Sequence, residues 1–436
     1  MVEKYTVHPS NNISGIINVP GDKSISHRAL ILLSISEGIG NVSGLLESED
    51  CLATLNIFKM LGVKIEKIDK NSYSIKGKGL YGLKETEKNL DCGNSGTSMR
   101  LLAGLLSAQK FSSNLVGDSS LNKRPMERIS IPLTRMGANI NLSDNKTAPI
   151  KINGTKKILP IEYKMPIDSA QIKSSIILAS LYADSETKII ENNPTRDHTE
   201  NMVNFLNGNI VKVNNKIIID PKTKLISRDI SIPGDISSAM FIIVACLISK
   251  NSEILIQNVG LNNLRTGGLD ILKLMGAQIY ISNIKNFGPE KFGDIKVISS
   301  KLQGIVIPKK YVASSIDEFP ILFIAAANAS GKTVLKNAEE LRYKESDRLD
   351  AMSKGLSSCN ITHKLFYDGI EIEGGEMCGA TVNSFDDHRV AMAFLIAGIS
   401  AKEPITVLNT KNILTSFPDF YSLIKDAGVN IIRENN

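Results

Sequence analysis

The chain has 436 residues, of which 42% are hydrophobic and 22% are charged. This length exceeds one ordinary hydrophobic core, so we expect two domains. No apolar run approaches the roughly 20 residues that cross a bilayer, so we expect no membrane span. The opening segment MVEKYTVHPSNN has neither an apolar signal core nor an Arg-rich leader, and we therefore expect a cytoplasmic protein.

The formal net charge is +6, from 51 Lys and Arg against 45 Asp and Glu. A mild excess of this kind suits anionic small molecules as well as nucleic acid. Five cysteines show no CxxC pair and no clustering with His, so we predict neither a disulfide framework nor a zinc site, only reduced packing thiols. They are Cys51, Cys92, Cys246, Cys359 and Cys378.

A helix-to-strand junction recurs about every seventy residues along the chain. In each copy, an apolar stretch ends in Gly and continues into a β-branched run. The copies are MLGVKI at Gly62, RMGANI at Gly137, FLNGNI at Gly208, LMGAQI at Gly276, a degenerate LSSCNI at Ser358, and DAGVNI at Gly428. This spacing predicts six units of similar length.

Each unit also contains one helix that is apolar nearly all round, which is typical of a buried helix. The six segments are SISHRALILLSISEG, SGTSMRLLAGLLSAQ, SAQIKSSIILASLYAD, DISSAMFIIVACLISK, IDEFPILFIAAANAS and DDHRVAMAFLIAGIS. The helix before each junction is amphipathic, as in CLATLNIFKMLG, and should lie on a surface. Short β-branched segments such as KTVLKN and PITVLN follow the buried helices, so each unit alternates helix and strand.

The polar residues of every buried helix stand at its start. If the helices pack as two sets of three in equivalent orientations, their N-termini gather at one end of each domain and bring free N–H groups and partial positive charge. Two such ends facing each other would form a cleft that attracts anions. Ordinary N-capping explains Ser, Asp and Asn at one or two starts. It does not explain Arg and Lys there, which are unfavourable unless an anion also binds.

The helix starts and the basic loops between units supply many cations and a few carboxylates. In chain order the starts contain Lys23, Ser24, Arg28, Asn94, Gly96, Thr97, Arg100, Ser169, Gln171, Lys173, Asp235, Ser237, Asp317, Glu318, His388 and Arg389, and the loops contain Arg124, Arg128, Arg342, Lys344, Glu345 and Arg348. Arg suits bidentate binding of phosphate or carboxylate. A base among these cations needs desolvation or hydrogen bonding to work near neutral pH. Asp317 and Glu345 are our candidates, and a structural salt bridge is the alternative role for each.

Eight motifs in order, from about residue 8 to residue 420, resemble those of the 5-enolpyruvylshikimate-3-phosphate synthase family. They are PGDKSISHRAL, DCGNSGTSMRLL, KRPMER, DSAQIKSSIILA, TRDHTENM, IDEFPIL, RYKESDRL and DDHRVAMAF. The resemblance implies an α/β fold of two domains, an inside-out α/β barrel with six βαβαββ repeat units, three per domain, around buried parallel helices. It assigns residues 1–20 and 234–436 to one domain and 21–233 to the other, with the active site in the interdomain cleft.

By the same resemblance, the reaction transfers the enolpyruvyl group of phosphoenolpyruvate to the 5-hydroxyl of shikimate 3-phosphate and releases phosphate. Protonation of C3 accompanies addition of the hydroxyl to C2, and the tetrahedral ketal phosphate then loses a C3 proton and phosphate. The family needs no metal and no organic cofactor. We expect a monomer that binds these small molecules, and neither nucleic acid nor membrane.

Residue roles carry over from the family motif by motif. Shikimate 3-phosphate is expected to contact Lys23, Ser24, Arg28, Ser169, Ala170, Gln171, Asp317 and Lys344. Phosphoenolpyruvate is expected to contact Lys23, Gly96, Arg124, Gln171, Arg348 and Arg389. Asp317 is the expected base on the 5-hydroxyl, and Glu345 the acid and base at C3, sharing protons with Lys23. Thr195 or Arg196 takes the place of a substrate-contacting Ser.

The chain departs from the family pattern at two positions. Thr415 stands in LTSFP where some members have Lys, and Glu340 stands where Asn often contacts substrate. Gly96 is the residue whose replacement by Ala excludes the inhibitor glyphosate in the family, so glyphosate is a possible ligand.

Two alternatives remain at this level. A sister transferase that acts on UDP-N-acetylglucosamine shares the six-unit fold, but it has Lys-Asn at the first helix start and a reactive Cys before its Arg-Pro pair, whereas this chain reads KSISHR and GDSSLNKRPMER. A non-catalytic nucleic-acid-binding repeat protein would pair its charge with exposed aromatics. Here aromatics form 5% of the chain, and Trp is absent.

Overall fold

The computed structural model describes residues 3–435, apart from the side chains of Phe287 and Asn435. The chain divides into two compact units, each with its own hydrophobic core. Unit 1 contains the described residues up to Pro20, Pro233–Lys285 and those from Lys291 onward, and unit 2 contains Gly21–Ile232 and Asn286–Glu290. The domain bounds implied by the family resemblance place Pro233 and Asn286–Glu290 in the opposite units, because local composition gives no sign of a chain that changes unit for five residues.

Buried and half-buried helices alternate along the described chain. The helices are α1 (Lys23–Ser34), α2 (Glu49–Met60), α3 (Gly96–Leu106), α4 (Glu127–Arg135), α5 (Ala170–Ser180), α6 (His198–Phe205), α7 (Ile236–Ile248), α8 (Gly267–Leu274), α9 (Phe319–Ala327), α10 (Arg348–Ser358), α11 (His388–Ala397) and α12 (Phe420–Asp426). The odd-numbered helices are the six segments predicted to be buried, and nearly every residue in them is buried. The even-numbered helices bury one face only, as their amphipathic sequences predict.

The strands are short, mostly three to six residues. They are β1 (Glu3–Val7), β2 (Ser14–Ile17), β3 (Ile39–Ser43), β4 (Lys64–Asp69), β5 (Ser72–Lys76), β6 (Leu90–Asp91), β7 (Ser113–Val116), β8 (Asn139–Asn141), β9 (Ile150–Asn153), β10 (Glu162–Lys164), β11 (Thr187–Ile190), β12 (Asn209–Val213), β13 (Lys216–Asp220), β14 (Ile230–Ser231), β15 (Glu253–Gly260), β16 (Gln278–Phe287), β17 (Glu290–Ile298), β18 (Lys332–Leu335), β19 (His363–Phe366), β20 (Gly369–Glu373), β21 (Ala380–Asn383), β22 (Ile405–Leu408) and β23 (Ile431–Asn435).

Across residues 3–435 these strands form six small sheets. Their orders are β14-β3-β5-β4, β6-β7-β9-β8, β10-β11-β13-β12, β16-β17-β15-β2, β18-β20-β19 and β21-β22-β1-β23. The four-stranded sheets each have a parallel pair at one edge, such as β14 with β3 or β2 with β15. In the three-stranded sheet, an isolated parallel bridge between Val306 and Val334 stands in that position. β1 pairs antiparallel with both β22 and β23, which joins the two ends of the described chain in one sheet.

The helix-to-strand junctions share one backbone geometry. The second residue after the helix has a left-handed φ, and the next N–H bonds back five residues, as Val63 N does to Phe58 O at 3.0 Å. Four of these residues are the predicted glycines, Gly62, Gly137, Gly276 and Gly428. The other two junctions, in FLNGNI and LSSCNI, have the same geometry with a different residue. Asn207 and Asn360 hold the left-handed φ, because Asn tolerates that region through its short polar side chain.

All five cysteines are free thiols, and all but Cys378 are buried. Within the part of the chain that the structure describes, no helix is long and apolar enough to cross a membrane.

Candidate active site: two charged clusters at buried helix starts

Most buried helices begin with a side-chain cap that fixes the position of their first turn. Asp22, Ser95, Ser169, Asp235 and Asp387 each accept a hydrogen bond from a backbone N–H two or three residues later. The start of α9 differs, because the Glu318 side chain makes no cap bond and its carboxylate instead accepts from the Ser237 hydroxyl at the start of α7. These caps hold the candidate residues that follow them in the chain.

Arg28 is a buried cation of unit 2, with 3% of its surface exposed. Its Nε donates to Thr199 Oγ1 at 2.7 Å and its Nη2 to Ser174 Oγ at 2.8 Å. Its Nη1 donates to the carbonyl of Ser24 at 2.9 Å, which ties the side chain to the first turn of its own helix. The guanidinium orientation is therefore set by α1, α5 and α6 together.

Lys23, the first residue of α1, forms an ion pair with Asp50 of α2. The Asp50 side chain is almost fully buried, and that of Lys23 is about one-fifth exposed. The pair holds the ammonium beside the α1 N-terminus, where its charge is unfavourable without a carboxylate or a bound anion.

Gly96 begins α3 beside two arginines. A Cβ at this position would lie 3.2 Å from Arg124 Nη1 and 3.4 Å from Arg100 Nη1. Arg124 Nη2 donates to Asn94 Oδ1 at 2.8 Å, and Arg100 donates to the side-chain oxygen of Gln171. The absent side chain thus leaves room for two guanidinium groups at one helix start, an arrangement that suits phosphate.

Gln171 connects the α5 start to the α3 start. Besides accepting from Arg100, its Nε2 donates to Thr97 Oγ1 at 3.0 Å. Ser169 caps α5 and Ala170 is its first residue, and both are partly exposed at this end of unit 2. The sequence-predicted residues of unit 2 therefore lie at three neighbouring helix starts, except for Arg124, whose side chain reaches the start of α3 from a loop.

His27 is fully buried beneath these starts. Its Nδ1 lies 2.9 Å from Thr54 Oγ1, which in turn bonds Ser98 Oγ at 2.6 Å. Burial lowers the pKa of His27 well below its ordinary value, and the neighbouring Lys23 and Arg28 lower it further. The imidazole is therefore a neutral hydrogen-bonding link between α1, α2 and α3.

Arg348 is the centre of the charged cluster of unit 1 and is 1% exposed. Its Nε donates to Asp387 Oδ2 at 2.8 Å, its Nη2 to Glu345 Oε2 at 2.5 Å, and its Nη1 lies 3.5 Å from Asp317 Oδ1. Burial alone would lower the pKa of Arg348, but Asp387, Glu345 and Asp317 together raise it. For Asp387, burial favours the neutral acid, yet Arg348 holds the pKa of this carboxyl below its usual value.

Asp317 lies among three cations. Lys344 Nζ is 3.3 Å from its Oδ1, on the same oxygen that faces Arg348. Arg389 Nη1 donates to the Asp317 backbone carbonyl at 3.0 Å and lies 4.0 Å from Glu318 Oε1. The structure thus brings all the predicted unit 1 residues, Asp317, Lys344, Glu345, Arg348 and Arg389, into one cluster.

The two departures from the family pattern lie at defined places in unit 1. Thr415 is nearly buried and donates through Oγ1 to the Asn412 carbonyl at 2.7 Å. Glu340 is partly exposed in the short 3₁₀ segment Glu339–Tyr343.

Sequence reasoning missed the partners that hold these cations. Each partner is distant in the chain from the cation that it holds. The pairs are Lys23 with Asp50, Arg28 with Thr199 and Arg348 with Asp387. Asp387 carried the only local signal, since it stands one residue before the His-Arg pair at the start of α11. No group of three or more His, Cys, Asp or Glu side chains among the described residues is arranged to hold a metal ion.

Two α/β units, each with charged side chains gathered at helix starts, form an arrangement that suits small anions. A family model described as EPSP synthase (3-phosphoshikimate 1-carboxyvinyltransferase) matches residues 7–424. The chain therefore belongs to the EPSP synthase family.

Named relatives match over nearly their full lengths. The 3-phosphoshikimate 1-carboxyvinyltransferase of Legionella pneumophila strain Lens is 51% identical over 412 residues, covering 94% of this chain and 95% of the relative. That of Coxiella burnetii strain RSA 331 is 47% identical over 428 residues, covering 98% of both chains. A solved EPSP synthase from Acinetobacter baumannii superimposes with a TM-score of 0.90 at 44% identity, covering 99% of this chain and 100% of that chain.

Proposed function

We propose that the protein transfers the enolpyruvyl group of phosphoenolpyruvate to the 5-hydroxyl of shikimate 3-phosphate and releases phosphate. The observation that carries this proposal is the family match over residues 7–424, together with the presence of the family's charged residues in two compact clusters. Both substrates are phosphorylated carboxylic acids, and the clusters supply guanidinium, ammonium and helix N-terminal N–H groups.

The residues at the starts of α1 and α5 in unit 2 are proposed to hold the phosphate and carboxylate groups of shikimate 3-phosphate. Arg28 has a fixed orientation, and Ser24 lies on the same turn of α1. Ser169, Ala170 and Gln171 add hydroxyl, backbone and amide groups at the α5 start. Asp317 and Lys344 of unit 1 complete the proposed set.

Phosphoenolpyruvate is assigned a second set of cations. In unit 2, the space beside Gly96 at the start of α3, next to Arg124, suits a phosphate. Lys23 and Gln171 stand at the starts of α1 and α5. In unit 1 the proposed ligands are Arg348 and Arg389. Arg348 already contacts three carboxylates, so phosphoenolpyruvate is proposed to join a cluster of mixed charge in this unit.

The proposed chemistry uses Asp317 and Glu345 at different atoms. Asp317 takes the proton of the 5-hydroxyl as its oxygen adds to C2, and Lys344 and Arg348 favour the carboxylate form that this step needs. Glu345 gives a proton to C3, and the product of addition is a tetrahedral ketal phosphate. Glu345 then removes a C3 proton while the C2–O bond to phosphate breaks, and the hydroxyl proton held by Asp317 leaves with the phosphate. Lys23 shares protons with Glu345 in this scheme.

The fold, the location and the oligomeric state of the protein are proposed as well. The fold is proposed to be a two-domain inside-out α/β barrel of six βαβαββ units, supported by six small sheets with shared edge pairing. The protein is proposed to act in the cytoplasm as a monomer, without metal or organic cofactor. Light scattering coupled to gel filtration tests the monomer, and activity that survives exhaustive chelation tests the metal.

Phosphate release with two competing acceptors tests the function. Purified protein receives phosphoenolpyruvate with shikimate 3-phosphate in one sample and with UDP-N-acetylglucosamine in a parallel sample. Release in the first sample alone is the expected result. Release in the second alone assigns the protein to the sister transferases, and release in neither overturns the proposal.

A further inference from the structure

Lys173 of α5 is a fully buried cation that the proposed reaction does not use. Its side chain has no exposed surface, and Nζ lies 2.7 Å from Glu200 Oε1 and 3.1 Å from Glu191 Oε1. Nζ also donates to the backbone carbonyl of Thr195 at 3.0 Å. One ammonium thus holds three points of a segment that runs from the end of β11 into α6.

Glu191 holds the same segment from its other side. Its Oε1 accepts from the Thr195 backbone N–H at 3.0 Å and from the Thr195 hydroxyl at 2.5 Å. The N–H, carbonyl and hydroxyl of Thr195 are therefore all bound by the Lys173–Glu191 pair. Residues 192–194 are exposed between these fixed points, so the pair determines where the backbone of Arg196 lies.

The segment ends at a direct ligand of Arg28. Thr199 accepts from Arg28 Nε at 2.7 Å and bonds Ser174 Oγ at 2.7 Å. Ser174 follows Lys173 in α5 and accepts from Arg28 Nη2 at 2.8 Å. Because Glu200 follows Thr199, the Lys173–Glu200 ion pair sets the separation of α5 and α6 at the place where both hold the guanidinium.

Stability alone does not require ions here. A buried charged group is often no more stable than apolar or neutral side chains of similar shape, because desolvation offsets the attraction. Burial raises the pKa of Glu200 even though Lys173 lowers it, so this carboxylate is held at an energetic cost. Hydrogen bonds depend on direction as well as distance, so the bonds to Thr195 constrain the position of the segment that contains it.

We propose that Lys173 is a positioning residue, which holds residues 191–200 so that Arg28 and Arg196 are oriented for shikimate 3-phosphate. The inference rests on the proposed function, since it assigns a substrate to Arg28. It adds a buried ionic group that touches neither substrate and acts through the α5–α6 separation and the Thr195 backbone.

The test replaces three ionic side chains with neutral side chains of similar shape. The variant combines Lys173→Met, Glu191→Gln and Glu200→Gln. This variant carries no unpaired buried ion, so we expect it to fold. Its KM for shikimate 3-phosphate should rise about tenfold, as expected when charge-assisted contacts to one substrate are weakened. The KM for phosphoenolpyruvate should change much less, and calorimetric binding of shikimate 3-phosphate alone should weaken by a similar factor.

Leu178→Ala is the matched control, because Leu178 is buried in the same helix and has no part in the ionic group. It should lower the unfolding temperature without moving the KM for shikimate 3-phosphate. If the triple variant does not fold, the double variant Lys173→Met with Glu200→Gln replaces it. In that variant Glu191 still accepts the hydrogen bond from Thr195 N–H, and its Oε2 lies 3.5 Å from Lys212 Nζ.

A folded charge-free variant with the wild-type KM for shikimate 3-phosphate overturns the inference. Equal loss of affinity for both substrates, matched by Leu178→Ala, also overturns it, because that pattern reports general destabilisation. Failure of the proposed function is a separate result, in which the wild-type protein itself does not bind shikimate 3-phosphate.

Discussion

Replacing Arg348 with Met should destabilise unit 1 by an amount that depends on pH. The guanidinium makes two short charge-assisted hydrogen bonds, to Asp387 at 2.8 Å and to Glu345 at 2.5 Å. Removing one partner of a buried ion pair costs about 3–5 kcal/mol. The Glu345 side chain is about one-fifth exposed and partly screened by water, so we expect a loss of about 3 kcal/mol at neutral pH.

The contribution of Asp387 to stability should depend on pH with opposite signs in the wild type and in Arg348→Met. In the wild type, the pKa of Asp387 is below its unfolded value, so the carboxylate stabilises the fold above the unfolded pKa and loses this effect as pH falls through the folded pKa. Without Arg348, burial would raise the pKa of Asp387 above its unfolded value. The variant should therefore lose stability as pH rises through that raised pKa.

Urea unfolding followed by far-ultraviolet circular dichroism measures both effects, since the chain contains no Trp for fluorescence. The transitions of the two units are fitted separately because each unit has its own core. Arg348→Met with Asp387→Asn should recover much of the lost stability, because no buried carboxylate at position 387 is then unpaired. A loss below about 1 kcal/mol, or one that is equal at acidic and alkaline pH, refutes the reasoning.

Three further substitutions probe the two clusters. Gly96→Ala should preserve the fold, because the new Cβ displaces the Arg124 guanidinium by only a few tenths of an ångström, and steady-state kinetics should show a higher KM for phosphoenolpyruvate; an unchanged KM would separate Gly96 from that substrate. Lys23→Met should abolish phosphate release and leave the circular dichroism spectrum unchanged. Turnover at the wild-type rate would show that Lys23 has no part in the chemistry. Glu345→Ala should lower kcat by about 100-fold or more with little change in substrate affinity, whereas a pure KM effect would reassign Glu345 to binding.

The alternation of buried and half-buried helices was predictable from sequence because it follows from local hydrophobic pattern. A helix that is apolar all round, such as α7, has no stable position except inside a core. The junction glycines were visible for a similar reason, since a left-handed φ after a helix favours Gly. Asn207 and Asn360 escaped the pattern because Asn meets the same backbone requirement with a different side chain.

The partners of the site cations were not predictable in the same way. Thr199 reaches Arg28 and Asp387 reaches Arg348 only after distant segments pack together. Lys173 was visible as a cation at a helix start, but sequence alone gave no sign that it faces Glu191 and Glu200 in the interior. Its burial depends on the packing of α5 against the segment after β11.

Transfer in D₂O, with the product and the recovered phosphoenolpyruvate analysed by mass spectrometry, tests the central claim most directly. Protonation of C3 followed by loss of a C3 proton predicts that the product carries deuterium at C3. The product should form mole for mole with phosphate, and only when shikimate 3-phosphate is present. Phosphate release without the acceptor, or product that carries no deuterium at C3, would contradict addition and elimination of the enolpyruvyl group by this protein.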